Sequence, residues 1–144
     1  MAINLNIFVP IALKKSTYLD RKLIDPYEIV FGVPILFRSI NSFIDTSNSK
    51  LFFGINTEDI ERYSFNDMIA KFTKSVSSEI VPIQNSNSSI NTCLKIIENS
   101  NLDVDKISPL LIFIPNYIFN EIPDCLRLNK EFDIIAYTVI ANRR

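Results

Sequence analysis

The sequence predicts an α/β fold: one open, mostly parallel, twisted sheet with helices on both faces. The first observation behind this prediction is the segment SPLLIFIPN at residues 108–116, where five consecutive apolar residues lie between two prolines. A short apolar run without polar interruption is typical of a strand covered on both faces, as strands of parallel sheets are. The second observation is that strand-like and helix-like segments alternate along the chain. With 144 residues the chain has the length of one domain, and we expect residues 1–144 to form a single α/β domain.

The remaining elements follow from local patterns. Apolar runs bounded by turn residues predict further strands at residues 3–10, 50–56 and 132–140. Apolar residues at helical spacing predict helices over residues 34–45, about 67–76, about 89–97 and 123–128. Residues 60–65 are expected to form a short edge strand whose direction stays open, and Pro82 keeps the extended piece at 79–83 away from a central position. Residues 11–26 are expected to form a long polar loop, and residues 27–31 are compatible with a helix.

Composition excludes several classes of function. Without histidine, the chain provides neither a catalytic histidine nor a histidine metal ligand. Its two glycines, Gly32 and Gly54, cannot make a glycine-rich phosphate-binding loop. A net charge of −1 gives no electrostatic reason to expect nucleic acid, and no apolar run approaches the roughly 18 residues that would cross a membrane. We therefore expect no cofactor, no nucleic-acid partner and no membrane partner.

The cysteines and the N-terminus predict a cytoplasmic, intracellular protein. Cys93 and Cys125 lie far apart in predicted helices, where we expect buried thiols and no disulfide. The opening residues, MAINLNIFVPIAL, lack the basic region and the small-residue cleavage site of a signal peptide.

The order and spacing of the segments resemble a known family. IFVPIALKKS holds the end of the first strand, KLFFGIN is the next strand, SNSSINTCLKII is a loop with its helix, and LLIFIPNY and FDIIAYTVIAN are two later strands. This layout resembles the von Willebrand factor A-type domain, an open α/β sheet in which three loops at the carboxyl ends of the strands hold a divalent metal. The resemblance covers nearly the whole chain and lies in the pattern rather than in signature residues.

The resemblance implies positions for a metal site but not its ligands. The aspartate of the family's Asp-x-Ser-x-Ser motif falls on Pro10, and its two serines fall on about Ala12 and Lys14. The family's threonine falls near Ser88, and its second aspartate falls on Pro115 or Asn116. A hard cation such as Mg²⁺ needs oxygen ligands, normally with carboxylates, and a lysine opposes it. The resemblance therefore implies a degenerate adhesion site without a metal. The fallback set of ligands, should an ion bind, is Asp20, Asp25, Ser88 and Asn116.

Binding is expected at the carboxyl ends of the strands, where ligands of open α/β sheets lie. The expected binding face consists of Lys14, Lys15, Tyr18, Asn56, Ser86, Asn87, Ser88, Asn116 and Tyr117. Tyrosines are included because exposed tyrosines are enriched in binding hot spots. No catalytic residue is predicted. Glu58, Asp59 and Glu61 could serve acid–base chemistry, but a solvated turn is the preferred interpretation. Most phenylalanines, Phe31 among them, are expected in the core.

Three hypotheses for function remain open at this point. The leading one is a non-enzymatic protein–protein interaction module, an A-type scaffold without a working metal site and a subunit of a larger assembly. The first alternative is a small open α/β enzyme that uses carboxylates, lysine or Cys125. The second is a structural or self-assembling protein, for example of viral origin, that pairs through its edge strands. The partner is not identified, and homo-oligomer formation stays open.

Overall fold

The computed structural model describes residues 6–21, 25–43, 49–73, 76–102 and 110–112. Its strands are β1 (Asn6–Ile11), β2 (Ile29–Val30), β3 (Val33–Pro34), β4 (Lys50–Asn56), β5 (Ser77–Ile83) and β6 (Leu110–Ile112). Its helices are α1 (Lys15–Asp20), α2 (Ile35–Phe43), α3 (Thr57–Arg62), α4 (Phe65–Phe72) and α5 (Ser89–Asn99). The predicted helix at 123–128, the predicted strand at 132–140 and the end of the predicted strand at 108–116 lie outside the described residues.

Four of the strands form one parallel sheet in the order β5-β4-β1-β6. The registers place Phe8 opposite Phe52 on one side and opposite Ile112 on the other. β5 is an edge strand of the described sheet, as Pro82 predicts, because a proline cannot donate a ladder hydrogen bond. The predicted open, mostly parallel α/β sheet is confirmed.

The strand order reverses direction once along the chain. From β1 the chain moves outward to β4 and β5, and it then returns across the sheet to β6 on the other side of β1. Right-handed crossovers in opposite directions place their helices on opposite faces of the sheet. Accordingly, α2, α3 and α4, which precede β5, pack on one face, and α5, which follows β5, packs on the other.

Alternate residues of β1 and β4 face two separate apolar cores. Ile7 and Val9 point into the first core, which α2, α3 and α4 cover. This core is built around aromatic side chains; the ring centroids of Phe53 and Phe65 lie 5.3 Å apart, edge to face. Phe8, one residue along β1, points instead into the second core beneath α5. Both faces of the central strands are therefore buried, which explains their continuous apolar sequences.

Gly54 lets α5 approach the second face closely. A Cβ atom at this position would lie 2.6 Å from Cγ2 of Thr92 and 2.8 Å from Cδ1 of Ile96. Both of these side chains are fully buried on the inner side of α5. A glycine in the middle of β4 is thus a packing requirement, since any larger residue would push the helix away.

The prediction of an edge strand at residues 60–65 was wrong. These residues form the end of α3, the turn at 63–64 and the first residue of α4. The Asn56 side chain caps α3 by accepting a hydrogen bond from the backbone N–H of Glu58 at 3.1 Å, and Arg62 pairs with Asp59 one turn away. A capped first turn and an i,i+3 ion pair favour a helix over a strand here.

The region between β1 and α2 also differs from expectation. Residues 11–26 are not one loop, because they contain the end of β1 and all of α1. Residues 27–31 are not a helix; they contain β2 and the start of the turn of a two-stranded antiparallel hairpin formed with β3. Antiparallel pairing therefore occurs in a separate hairpin.

Candidate functional site

We define the carboxyl-end rim as residues 12–21, 25–35, 56–63 and 84–90. Residues 12–21, 56–63 and 84–90 follow the carboxyl ends of β1, β4 and β5, and residues 25–35 lead into the first turn of α2. Ligands of open α/β sheets bind at this end, at the point where the strand order reverses. Here the reversal lies between β1 and β6, so Lys14 and Lys15 after β1 flank it. The predicted residues on the other side, Asn116 and Tyr117, lie outside the described residues.

Two predicted binding residues hold the loop before α5 in place. The Ser88 hydroxyl accepts a hydrogen bond from the backbone N–H of Asn91 at 3.0 Å and so caps α5. The buried Ser86 hydroxyl lies 2.6 Å from that of Thr92 and 3.0 Å from the Ser88 carbonyl. Since these hydroxyls are engaged within the protein, they stabilise the helix start.

The cationic side of the rim is exposed. Lys14 and Lys15 begin α1 and point to solvent. Arg21, at the end of the same helix, donates from Nη2 to the Asn87 carbonyl at 3.4 Å. This contact links α1, with Lys14, Lys15 and Tyr18 of the predicted face, to the loop before α5, which holds three further residues of that face, 86–88. Asn56 is half-buried and is used as the cap of α3.

Tyr18 corrects the prediction of an exposed interface tyrosine. It is only 7% exposed, because α1 packs it inward. Burial, followed by the charges of Asp25 and Asp59, raises the pKa of its hydroxyl. Tyr18 therefore belongs to the packed interior of the rim and not to a contact surface.

Tyr27 lies in the same buried region. Its ring stacks on that of Tyr63, with centroids 4.1 Å apart and planes 9° apart. Its hydroxyl is buried and has no hydrogen-bond partner among the described atoms. Burial, followed by the charge of Asp59, raises its pKa. A buried hydroxyl without a hydrogen-bond partner lowers the stability of the folded protein, so Tyr27 places a destabilising polar group in the core.

Asp59 was misjudged from sequence as part of a solvated acidic turn. It is only 5% exposed, and its Oδ1 accepts from Nη1 of Arg62 at 3.1 Å. Burial raises the pKa of Asp59, the Arg62 charge opposes that shift, and Glu58 adds to it. The sequence gives one indication of this burial. Asp59 precedes Ile60, which packs against the first core, so Asp59 lies near the inward side of α3.

Large apolar side chains are exposed on the rim, which sequence patterns did not predict. Leu19 is 71% exposed, Ile29 66%, Phe31 90% and Ile90 75%. Leu94 and Ile97 extend the apolar surface along α5. The expectation that Phe31 belongs to the core was wrong, because it occupies the tip of the hairpin.

The positions considered for a metal have other environments. Pro10 lies in β1 opposite Gly54 of β4, and Ala12 is buried. Asp20 is exposed at the end of α1, and Asp25 accepts a hydrogen bond from the backbone N–H of Tyr27 at 2.9 Å. Within the described ranges, no three Cys, Asp or Glu side chains are grouped so that they could hold an ion. No helix among the described residues has the length and apolar character needed to span a bilayer.

Comparisons of the chain with protein-family models, with curated proteins and with solved structures find no match. Any functional conclusion therefore depends on the geometry of the chain itself.

Proposed function

We propose that the protein is a non-enzymatic protein–protein interaction module, similar to an A-type scaffold without a working metal site, and a subunit of a larger assembly. The carboxyl-end rim is its contact surface. The observation that carries this proposal is the exposure of Leu19, Ile29, Phe31 and Ile90 on that rim. Exposed large apolar side chains at the ligand-binding end of an α/β sheet are typical of protein interaction sites.

The engagement of the polar side chains supports the same conclusion. Ser86 and Ser88 stabilise the start of α5, and Asn56 stabilises the start of α3. Groups that already satisfy one another within the fold are poorly placed to bind a substrate, whereas they give the rim a fixed shape. A fixed shape lowers the entropic cost of forming an interface.

The rim carries charges of both signs, and its cations are concentrated around α1. Lys14, Lys15 and Arg21 are exposed on α1 or at its end beside Asp20, whereas Glu58 and Glu61 are exposed on α3. Leu19 lies on α1 and is also exposed. Where a partner surface meets α1, carboxylates opposite Lys14 and Lys15 would complement it, because opposite charges at an interface speed association and fix its orientation.

Photocrosslinking from matched positions tests the proposal. A photoreactive amino acid is placed at Leu19, at Ile90 or at Asn99, and the full chain is expressed in its native cells. Ile90 and Asn99 are exposed residues at opposite ends of α5, so Asn99 is the matched control. We expect positions 19 and 90 to crosslink to one common protein and position 99 not to do so. Equal crosslinking from position 99, or none from positions 19 and 90, would contradict the proposal.

The enzymatic alternative has one observation in its favour. Asp59 is buried with a raised pKa, close to the unpartnered hydroxyl of Tyr27, and perturbed groups of this kind occur in active sites. If this were a substrate site, small metabolites that raise the melting temperature of the wild type would not raise that of Asp59→Asn. A metabolite screen with no such difference would leave Asp59 as a structural residue.

A further inference from the structure

The tip of the β2–β3 hairpin has an unusual backbone. Its two central residues, Phe31 and Gly32, have φ angles of 50° and 79°. Two positive φ angles are characteristic of the tight hairpin turn that favours asparagine followed by glycine. Gly32 adopts this conformation freely, but a bulky residue such as Phe31 is strained there, because its Cβ approaches the following carbonyl oxygen.

Nothing in the hairpin offsets this strain by burial. Phe31 is 90% exposed, so its ring gains little from the apolar core. A strained backbone at an exposed large apolar residue is typical of a functional position, where the conformation serves something other than stability.

Arg38 of α2 fixes the hairpin tip. Its Nε donates to the Val30 carbonyl at 2.6 Å, and its Nη2 donates to the Phe31 carbonyl at 3.0 Å. Its guanidinium carbon lies 5.7 Å from the centroid of the Phe31 ring. The two hydrogen bonds hold the backbone of the hairpin tip, and the guanidinium lies beside the ring, so the tip is ordered before any partner arrives.

We propose that Phe31 is an anchor side chain that inserts into an apolar pocket of a partner protein. This inference rests on the proposed function and specifies its contact. A single phenylalanine offers roughly 150–250 Å² of surface. This is less than the roughly 1,000 Å² that a specific interface needs, so the ring acts as the anchor of a larger contact that includes the carboxyl-end rim. A concave pocket encloses the ring fully, and a carboxylate at its border would complement Arg38.

The test uses the full chain with a photoreactive phenylalanine analogue at position 31, expressed in native cells. Before irradiation, an excess of unlabelled chain is added to the lysate as a competitor for the partner. The first competitor is wild type and the second is Phe31→Asn. Asparagine accepts positive φ angles, so Phe31→Asn removes the ring without distorting the turn. Ser64→Asn is the matched competitor, because Ser64 is also exposed with a φ of 48°.

We expect one crosslinked protein, with the crosslink mapped to apolar residues of a pocket. Wild type and Ser64→Asn should abolish the crosslink, and Phe31→Asn should be at least tenfold weaker as a competitor. Phe31→Asn should also melt about 2–4 °C above the wild type, since it relieves backbone strain. That rise excludes misfolding as the cause of lost competition.

Several outcomes would overturn the inference. They are full competition by Phe31→Asn, a crosslink to lipid or to a second copy of the chain, no crosslink from position 31, and a lower melting temperature of the variant. If positions 19 and 90 crosslink to a partner while Phe31→Asn competes fully, the anchor role fails and the proposed function stands. If none of the three positions crosslinks, both fail.

Discussion

Replacing Gly54 with alanine tests the packing of α5 on the sheet. The added Cβ would lie 2.6 Å from Cγ2 of Thr92 and 2.8–2.9 Å from two carbons of Ile96. Carbon atoms pack at about 3.5–4.0 Å, so the helix would have to move by up to about 1 Å. Because three contacts lie below 3.0 Å, we expect a cost of about 2–3 kcal/mol, the upper part of the range for overpacking, and the lower entropy of the unfolded alanine chain returns about 0.4–1 kcal/mol.

We therefore expect Gly54→Ala to lose about 1–2 kcal/mol of unfolding free energy, measured by urea denaturation. This corresponds to a fall of about 2–8 °C in melting temperature for a chain of this size. Thr92→Ser removes the methyl group in closest contact and keeps the hydroxyl that meets Ser86. In the double variant, we expect it to recover at least about 0.5 kcal/mol of the loss.

A matched substitution separates steric crowding from backbone strain. Gly32→Ala adds a Cβ with no atom within 4 Å, at a φ of 79°, so its loss of stability comes from backbone strain alone. Thr92→Ser should not recover that loss. The reasoning about Gly54 would be refuted if Gly54→Ala were as stable as wild type, or if its effect and that of Thr92→Ser were simply additive.

Three further predictions concern a cap, a carboxylate and a thiol. Ser88→Ala should lose about 1 kcal/mol of unfolding free energy in urea, and Ser89→Ala clearly less, because only Ser88 caps α5; equal losses would contradict this. The pKa of Asp59 is raised in the folded protein above its ordinary value of 3.8, so the native state binds more protons than the unfolded state does. The contribution of Asp59 to stability is therefore present at acidic pH and is lost as the pH rises above 3.8. Urea midpoints from pH 3 to 7 should show this fall in the wild type and not in Asp59→Asn; parallel curves would refute it. Burial raises the pKa of Cys93 to about 11, so in Cys125→Ser the remaining thiol should react with a thiol reagent at pH 8 only after unfolding; rapid labelling of the native protein would contradict this.

Strands and capped helices were the most predictable elements. β4 spans Lys50–Asn56, the seven residues that the sequence predicts, because a continuous apolar run is bounded by polar residues at both ends. α5 begins at Ser89, close to the start that the sequence predicts, and Ser88 caps it. In both cases a local signal and the long-range packing favour the same structure.

The wrong predictions share a physical origin in contacts between distant segments. Tyr18 and Asp59 are both buried and close enough for the charge of Asp59 to raise the pKa of the Tyr18 hydroxyl, and neither local sequence reports that proximity. Residues 60–65 alternate enough to suggest a strand, but the Arg62 ion pairs and the Asn56 cap favour a helix. The site prediction therefore located the exposed cations and missed the buried cluster beneath them.

Phe31 illustrates a further limit of sequence patterns. Gly32 signals a turn nearby, but the φ angle of the residue before it is not encoded in hydrophobic spacing. Apolar residues are normally placed in the core by default, so an exposed phenylalanine is recognised only from coordinates.

Hydrogen exchange of the chain with and without its crosslinked partner, purified in unlabelled form, tests most directly whether the rim is the contact surface. We expect the partner to slow exchange of backbone amides in residues 12–21, 29–35 and 84–92. Residues 77–80 and 97–102, at the other end of the sheet and of α5, should exchange as in the free protein. Slowed exchange confined to these latter residues, with the rim unchanged, would contradict the account.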